Sequence, residues 1–205
     1  TDRYKLNKSP NTQIFCGPEY AMLRSAFSKQ RNTLHSYQYR MSNREVVIFF
    51  GGIDANNQTG KLIEKIVEEK LDDMFHIIIG GKNPHKQELL KRFSHTDYNL
   101  CFHIDIDNVE EIFARSYLFL GAVGSTTWER CVLGLPGIVV AVAENQIESA
   151  EALNELGGHF YLGLCDDVAA LDYLELLKEL KNNPYLLGLQ SQKCFELTDG
   201  LGAGR

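Results

Sequence analysis

The sequence lacks the features that mark membrane, disulfide-rich and nucleic-acid-binding proteins. Its longest apolar run falls far short of the roughly 18 residues that a membrane-spanning helix needs, so we expect no membrane span. There are only 5 cysteines, an odd number with no C-x-x-C pair, which excludes a disulfide framework and indicates reduced thiols in a cytoplasmic protein. No cluster of Lys and Arg stands out and the net charge is −6, so no nucleic-acid partner is predicted.

The composition that remains is that of a folded globule. The 205 residues are 44% hydrophobic and 23% charged, a balance that excludes disordered and collagen-like chains. Neither an apolar leader nor an initiator Met opens the sequence, so we expect Thr1 to be an internal position of a longer protein. Anionic small ligands are not excluded by the negative charge, because backbone amides at helix N-termini can hold a phosphate.

Apolar runs closed by glycine alternate with segments of helical periodicity. Glu45–Phe50 is a continuous apolar run stopped by Gly51–Gly52, the pattern of a strand buried on both faces of a parallel sheet. Further strands are predicted at Thr12–Cys16, Phe75–Ile79, Tyr98–His103, Tyr117–Leu120, Ile138–Val142 and Phe160–Leu164. Helices are predicted at Gln58–Leu71, Pro84–Phe93, Val109–Ala114, Thr126–Leu133, Gln146–Leu156, Val168–Leu180 and Tyr185–Leu197.

This alternation predicts an α/β fold with an open, doubly wound parallel sheet of Rossmann type. Residues 1–42 are interpreted as a linker and entry segment. The polar stretch from residue 28 to 44, which extends just past it, predicts a surface loop. Residues 43–205 are interpreted as one undivided α/β domain. In such sheets, ligands bind beyond the carboxyl ends of the strands, so the loops that follow the strands are the candidate site.

Several standard chemistries fail on spacing. Gly60–Lys61 lacks the first glycine and the hydroxyl of a P-loop, and no G-x-G-x-x-G follows the first strand. Ser125 lacks the flanking glycines of a nucleophile elbow. His103 and Asp105 form an H-x-D pair at a strand end, but no third ligand is evident, so we predict a loop histidine and neither a metal site nor a cofactor. The sequence assigns no catalytic residue.

The segment Gly121–Glu129 is more informative. A strand leaves through a glycine turn, and Ser125, Thr126 and Thr127 then open a helix, which suits a phosphate cradle. Glu129 lies one helical turn further on and can accept hydrogen bonds from vicinal hydroxyls such as those of a ribose. The alternative is an ordinary Ser/Thr N-cap with a capping-box glutamate.

Two other strand exits carry comparable groups. Gly51–Gly52–Ile53–Asp54 follows the first strand of the domain, where glycines either let a ligand approach the backbone or simply make a tight turn. Asn145 and Gln146 follow the fifth strand and open another helix. Their amides can donate to phosphate or sugar oxygens, or cap that helix.

These segments, taken in order, resemble one family. They are Cys16–Arg24, Gly51–Asp54, Gly124–Cys131, Leu133–Pro136 and Asn145–Gln146. Their order and spacing are similar to those of the UDP-sugar hydrolases of pseudaminic acid biosynthesis, which are grouped with spore-coat polysaccharide proteins. That family resembles the lipid II-forming N-acetylglucosaminyltransferase and shares its two-domain GT-B architecture. The resemblance implies that this chain is the C-terminal, nucleotide-binding half of such a protein.

The resemblance also implies a UDP-sugar ligand and assigns residues to it. The diphosphate is expected near Gly51, Gly52 and Asp54, the ribose hydroxyls at Glu129, and the uracil edge near the backbone of His103 and Ile104. Phosphate oxygens are expected at the helix start, near Gly124 and the hydroxyls of Ser125 and Thr126. Asn145 and Gln146, which follow the fifth strand, are expected to face the diphosphate or the sugar.

Family members carry an N-terminal domain with a Gly-rich loop and a histidine thought to be the catalytic base. Nothing before Gln13 supplies that domain, so the resemblance implies a partner domain of the same polypeptide and binding with little turnover by this chain. Four interpretations stay open. They are a hydrolase that releases UDP and a free amino sugar for nonulosonic acid synthesis, a GT-B glycosyltransferase, a non-catalytic nucleotide-sugar-binding module, and an α/β domain that binds no ligand.

Overall fold

Six strands form the centre of the computed structural model, which describes residues 11–95 and 97–205. They are β1 (Glu45–Phe49), β2 (Met74–Ile79), β3 (Leu100–Ile104), β4 (Leu118–Ala122), β5 (Gly137–Ala141) and β6 (Phe160–Leu164). All neighbours pair in parallel, in the order β3-β2-β1-β4-β5-β6. This is the Rossmann strand order, and the predicted open, doubly wound sheet is confirmed.

Helices cover both faces of the sheet. The nine α-helices of the described residues are α1 (Ser25–Arg31), α2 (Tyr37–Asn43), α3 (Gln58–Glu68), α4 (Lys86–Phe93), α5 (Val109–Arg115), α6 (Thr126–Val132), α7 (Ile147–Glu155), α8 (Ala170–Lys181) and α9 (Pro184–Leu197). Short 3-10 turns occur at Pro18–Tyr20, Glu144–Gln146 and Gly202–Gly204. Every helix predicted beyond residue 57 is present, with its ends shifted by at most a few residues. In the part of the chain that is described, no helix combines the length and apolar character that a bilayer crossing requires.

The continuous apolar runs of the strands supply two separate cores. Side chains alternate between the faces of a strand, so Val46 and Ile48 of β1 pack on one side of the sheet and Val47 on the other. All three are fully buried. Because both faces are covered, a central strand such as β1 has no solvent side and needs no polar residue between its ends.

The entry segment departs from the sequence prediction in two places. The predicted strand Thr12–Cys16 is wrong, since these residues are irregular and mostly exposed and pair with no strand of the sheet. The predicted loop over residues 28–44 is also wrong, since it contains the end of α1 and all of α2. Residues 1–10 lie outside the described residues, and the proposed boundary after residue 42 stays a prediction.

Buried arginines explain why that segment looked like a loop. Arg40 is only 3% exposed, and its guanidinium donates to the carbonyl oxygens of Leu133 and Gly134, at 3.0 Å each. Arg31 donates to the carbonyl oxygens of Val132 and Thr198, at 2.8 Å each. These side chains are polar in the sequence but serve as donors to carbonyls at the C-terminal ends of other helices, where a cation is favourable.

The sheet is tightest where β1 meets β4. Gly121 of β4 pairs with Phe49 of β1, and a Cβ at position 121 would lie 1.9 Å from the carbonyl oxygen of Phe49. No side chain can occupy that space without separating the two strands. Glycine is therefore required here for close backbone approach.

Replacing Gly121 tests that constraint. We expect Gly121→Ala to lower the free energy of unfolding by about 3 kcal/mol or more, at the upper end of overpacking costs, in chemical denaturation. The matched control is Gly188→Ala in the middle of α9, where a Cβ meets nothing within 4 Å. That change should raise the free energy of unfolding by about 0.5–1 kcal/mol, the helix propensity difference. Wild-type stability in Gly121→Ala would contradict the geometry.

Candidate functional site

The strand order reverses between β1 and β4, and the loops that follow these two strands meet at one edge of the sheet. Such a reversal is where open α/β sheets form a ligand crevice. Gly51 and Gly52 follow β1, and Gly124 follows β4. A Cβ placed on any of the three would have no heavy atom within 4 Å, so these glycines border open space. Gly51 also has a φ of 93°, a backbone conformation that favours glycine.

A cleft of 510 Å³ lies beyond β1. The predicted residues Gly51, Gly52 and Asp54 line it together, with Val142 and Cys165 contributed from the exits of β5 and β6. The structure therefore brings the whole of the first predicted segment to one concave surface. The contribution of Val142 and Cys165 to this cleft was not predicted from the sequence, because it depends on the order of the strands in the sheet.

Asp54 is occupied as a helix cap. Its two carboxylate oxygens accept hydrogen bonds from the backbone N–H groups of Gln58 and Thr59, at 2.8 and 2.9 Å. The Asn57 side chain accepts from the N–H of Gly60 at 3.1 Å. These bonds satisfy the N–H groups that a helix start leaves free. The N-terminus of α3 is thus closed by its own loop, and Asp54 fixes that loop.

The N-terminus of α6 is open by contrast. Ser125 precedes the helix but makes no capping hydrogen bond with its side chain. The N–H of Thr127 donates to the carbonyl oxygen of Gly124 at 3.0 Å, and that of Trp128 to Ser125 at 3.1 Å. Among the hydrogen bonds of the described residues, none is donated by the N–H groups of Ser125 and Thr126. Two backbone donors and two hydroxyls are therefore available beside Gly124.

Glu129 is a half-buried carboxylate that makes no hydrogen bond within the described part of the chain. Burial raises the pKa of its carboxyl group, Arg24 opposes that change, and Glu110 adds to it. Arg24 itself donates to Glu110 at 3.1 Å. The capping-box alternative is wrong, because the carboxylate reaches no backbone N–H at the helix start. An acceptor of this kind is free for hydroxyl donors from a ligand.

A second cleft, of 600 Å³, lies beyond β4. Gly124 and Gln146 line it, together with Gly17, Trp128 and the buried His159. The Gln146 side-chain oxygen accepts from the N–H of Val142 at 2.8 Å, which ties the turn before α7 to the exit of β5. Asn145 is exposed and lines neither of these two clefts.

The residues expected near the uracil lie elsewhere. Ile104 ends β3, an edge strand separated from β1 by β2, and its half-buried side chain packs against an apolar core. It lines neither cleft. His103 was predicted to be a loop histidine at the end of a strand, but it lies within β3. Trp128 and Gly17 line the second cleft but were not predicted. Both belong to segments used for the resemblance, Cys16–Arg24 and Gly124–Cys131, but neither was assigned to the site.

No family model matches this chain. Over 150 residues it is 29% identical to an uncharacterized protein of Methanocaldococcus jannaschii, a match that covers 72% of this chain and 30% of that protein. Over 156 residues it is 22% identical to the spore coat polysaccharide biosynthesis protein SpsG of Bacillus subtilis, covering 75% of this chain and 45% of SpsG. The chain therefore spans less than half the length of these curated relatives.

Several solved structures share the fold of this chain. S. aureus MnaA, solved with UDP, superposes with a TM-score of 0.63 and 15% identity over 97% of this chain and 54% of its own. Acinetobacter baumannii MurG gives a TM-score of 0.58 and 15% identity over 83% of this chain and 54% of its own. The C-terminal CMP-Kdo binding domain of WaaA from the same organism gives 0.58 and 15%, covering 85% of this chain and 98% of that domain.

At these identities the likeness shows the fold. This chain has the Rossmann-like fold of one domain of GT-B glycosyltransferases and UDP-N-acetylglucosamine 2-epimerases. That part of the sequence interpretation is confirmed. The hydrolase of pseudaminic acid biosynthesis stays a prediction.

The half-buried Glu129 makes stability depend on pH. Because its pKa is higher in the folded than in the unfolded chain, the folded state binds the proton more tightly and ionisation destabilises it. This stabilising contribution is complete below the unfolded pKa and is lost as pH rises through the folded pKa. Glu129→Gln should therefore be more stable than wild type at pH 7, and the gain should shrink as pH falls through the raised pKa of the folded chain and vanish below the ordinary value of 4.5.

Chemical denaturation of both proteins at pH 7 and at about pH 4, near the reference pKa of glutamate, measures this difference. Glu175→Gln on the exposed face of α8 is the matched control and should change little at either pH. A Glu129→Gln protein that is less stable than wild type at pH 7 would mean that the carboxylate makes a stabilising contact in the fold.

Proposed function

We propose that this chain is the nucleotide-sugar-binding domain of a two-domain GT-B enzyme and that it binds the UDP part of a UDP-sugar. The observation that carries the proposal is the reversal of strand order, beyond which the glycines that follow β1 and β4 border open space. A diphosphate and its sugar can lie close to a backbone that carries no side chains. Gly51, Gly52 and Gly124 provide such surfaces on both sides of the reversal.

The diphosphate is proposed to bind at α6 rather than at α3. Both helices begin at strand exits next to the crevice, but the first N–H groups of α3 are taken by Asp54 and Asn57. A phosphate there would also face the Asp54 carboxylate. At α6, the N–H groups and hydroxyls of Ser125 and Thr126 are free. Free N–H groups and the positive end of the helix dipole favour an anion.

Glu129 is proposed to accept hydrogen bonds from the ribose hydroxyls. It lies one helical turn beyond the proposed phosphate site on the same helix. A half-buried carboxylate without a partner costs stability, and residues of that kind are found where function requires them. Two hydroxyl donors from a ribose would satisfy the carboxylate and account for that cost.

The remaining predicted residues have smaller parts in the proposal. Asp54 positions the glycine loop through its cap on α3. Gln146 lines the second cleft with Gly124 and is proposed to face the diphosphate or the sugar, with the exposed Asn145 beside it. The uracil contact through Ile104 and its neighbours rests on the resemblance alone, because β3 is two strands away from β1.

The reaction of the whole protein is proposed to be that of a GT-B enzyme that transfers from, or rearranges, a UDP-sugar. Structures with this fold include the glycosyltransferase WaaG and the transferase MurG, which favour transfer over hydrolysis. Release of UDP and a free amino sugar for nonulosonic acid synthesis is the second candidate. The similarity to a spore coat polysaccharide biosynthesis protein supports it, because the sequence resemblance groups the hydrolases with such proteins.

Calorimetry with UDP tests the binding proposal. We expect UDP to bind the 205-residue chain, and Glu129→Gln to weaken binding by about 1.5–3 kcal/mol, the usual contribution of hydrogen bonds to a charged group. Glu175→Gln, the control on α8, should bind like wild type. CMP is the second ligand to titrate. Equal or tighter binding of CMP would contradict the choice of UDP as the nucleotide but not the location of the site. No heat and no thermal shift at millimolar UDP would contradict the proposal.

The second expectation concerns turnover. General-base catalysis needs a group of suitable pKa within reach of the attacking water, and the groups near the crevice are engaged otherwise. Asp54 caps α3, and the His85 ring nitrogen Nε2 lies 3.0 Å from the carbonyl oxygen of Ala55. We therefore expect this chain alone not to release UDP from a UDP-N-acetylamino sugar at a useful rate.

A coupled assay of UDP release measures that rate. The base is expected on the partner domain that GT-B architecture places across the crevice. Steady turnover by the isolated chain, abolished by His85→Ala or Asp54→Ala, would place the base in this domain and would contradict its description as half of an active site.

A further inference from the structure

Three metal-ligating side chains lie together on the face of the sheet that Val47 and Ile78 also face. His76 of β2 is paired with Cys101 of β3, and His103 follows two residues later on the same face. One ring nitrogen of each histidine and the Cys101 sulfur all lie within 4.8 Å of one another. The sequence shows no such cluster, because His76 is separated from Cys101 by most of a β-α-β unit.

A carboxylate behind the cluster orients it. The Glu45 Oε2 atom lies 2.9 Å from Nε2 of His76 and forms an ion pair with Nε of Arg115 at 2.7 Å. His76 therefore carries its proton on Nε2 and directs the lone pair of Nδ1 toward Nε2 of His103, 3.0 Å away. A histidine held by a carboxylate through its other ring nitrogen is the usual arrangement behind a metal ligand, since it fixes the tautomer and the ring orientation.

The separation of the two histidine nitrogens is close to that in a tetrahedral zinc site. Zn–N bonds of about 2.0–2.1 Å place two imidazole nitrogens about 3.3 Å apart, a few tenths of an ångström from the separation between His76 and His103. The sulfur of Cys101 needs a Zn–S bond of about 2.3 Å. Its side chain can rotate toward the histidines because it is only half-buried, and the half-buried His103 leaves a path for the ion.

The charges also suit a cation. The positive charge of Arg115, behind the cluster, is paired with the carboxylate of Glu45. A Cys101 thiolate would offset one of the two charges of a divalent ion.

We propose that His76, Cys101 and His103 form a binding site for a divalent cation of borderline softness, with Zn²⁺ the ion that best fits two imidazoles and a thiolate. The fourth position is left to water or another ligand. The ion would join the edge strand β3 to β2. The site does not depend on the proposed nucleotide-binding function, whose glycines lie at the exits of β1 and β4.

Titration of the metal-free chain with Co²⁺ tests the proposal directly. Co²⁺ bound by a thiolate gives an intense near-ultraviolet charge-transfer band, so we expect that band to appear and saturate at one ion per chain, and Zn²⁺ to remove it. Cys101→Ser should abolish it. Cys16→Ser, at another half-buried free cysteine, should leave it unchanged. A band that survives in Cys101→Ser, or no band at all, overturns the proposal.

The orienting carboxylate provides a graded test. Glu45→Gln keeps the three ligands but loses the charge that holds His76, so Zn²⁺ affinity should fall about 10- to 100-fold, the usual effect of changing such a partner. Glu175→Gln should leave the affinity unchanged. Equal affinity in Glu45→Gln and wild type would contradict the role of Glu45.

A mutation-free measurement guards against variants that fail to fold. Iodoacetamide alkylation of the native chain, followed by peptide mass spectrometry, reports Cys101 and Cys16 in the same sample. Zn²⁺ should slow the alkylation of Cys101 and leave Cys16 unaffected. Equal rates at Cys101 with and without Zn²⁺ would mean that the cluster is only a hydrogen-bonded histidine pair.

Discussion

The contact between Gly121 of β4 and the carbonyl oxygen of Phe49 in β1 is the constraint on which the candidate site depends. It allows the two strands that flank the reversal of strand order to lie at full sheet spacing. Their exits then leave side by side, with Gly51 and Gly52 lining the cleft beyond β1 and Gly124 lining the cleft beyond β4. A larger residue at position 121 would separate those exits, so the sheet and the site share a single requirement.

Two helices begin at these strand exits, and the local sequence makes them chemically different. In the loop before α3, Asp54 and Asn57 supply three acceptors to the first N–H groups of the helix. The positive end of the helix dipole therefore already interacts with side chains of this loop. Before α6, Gly124 and Ser125 supply no side-chain cap. The fold thus leaves one helix start for an external anion and closes the other, and the carboxylate at the closed start would repel an anion from there.

The architecture could be predicted well from the sequence because its strands and helices follow from local residue patterns. Continuous apolar runs such as Glu45–Phe50, closed by glycine, mark buried parallel strands wherever they occur. The prediction failed where a residue's hydrogen-bond partner lies far along the chain. Arg40 looked like a loop residue because its acceptors, Leu133 and Gly134, are more than ninety positions away.

The site was predicted to the same extent and for the same reason. Gly51, Gly52 and Gly124 follow strands, so topology alone brings them together. Glu129 gave two alternatives, and only the structure shows that its carboxylate caps nothing. The cluster of His76 with Cys101 and His103 was missed, because parallel pairing joins residues from separate strands without leaving any spacing to read.

The helix α6, which carries Glu129, is anchored by the neighbouring residue Arg130. Arg130, the residue after Glu129, is fully buried. Its guanidinium donates to the carbonyl oxygens of Leu135 and Gly158, at 3.2 and 2.8 Å, and to Nδ1 of His159, at 2.8 Å. Burial and the arginine lower the pKa of His159 to about 3, so the ring stays neutral and accepts that hydrogen bond.

The guanidinium of Arg130 thus anchors the helix to carbonyls and an imidazole, without a carboxylate partner among the described residues. An arginine paired with Glu129 would hold the helix equally well but would consume the acceptor that the proposed ribose contact needs. By placing the cation on the buried side, the chain secures the position of α6 and leaves the carboxylate of Glu129 free on the other side. Anchoring and the proposed binding are therefore divided between adjacent residues of one short helix.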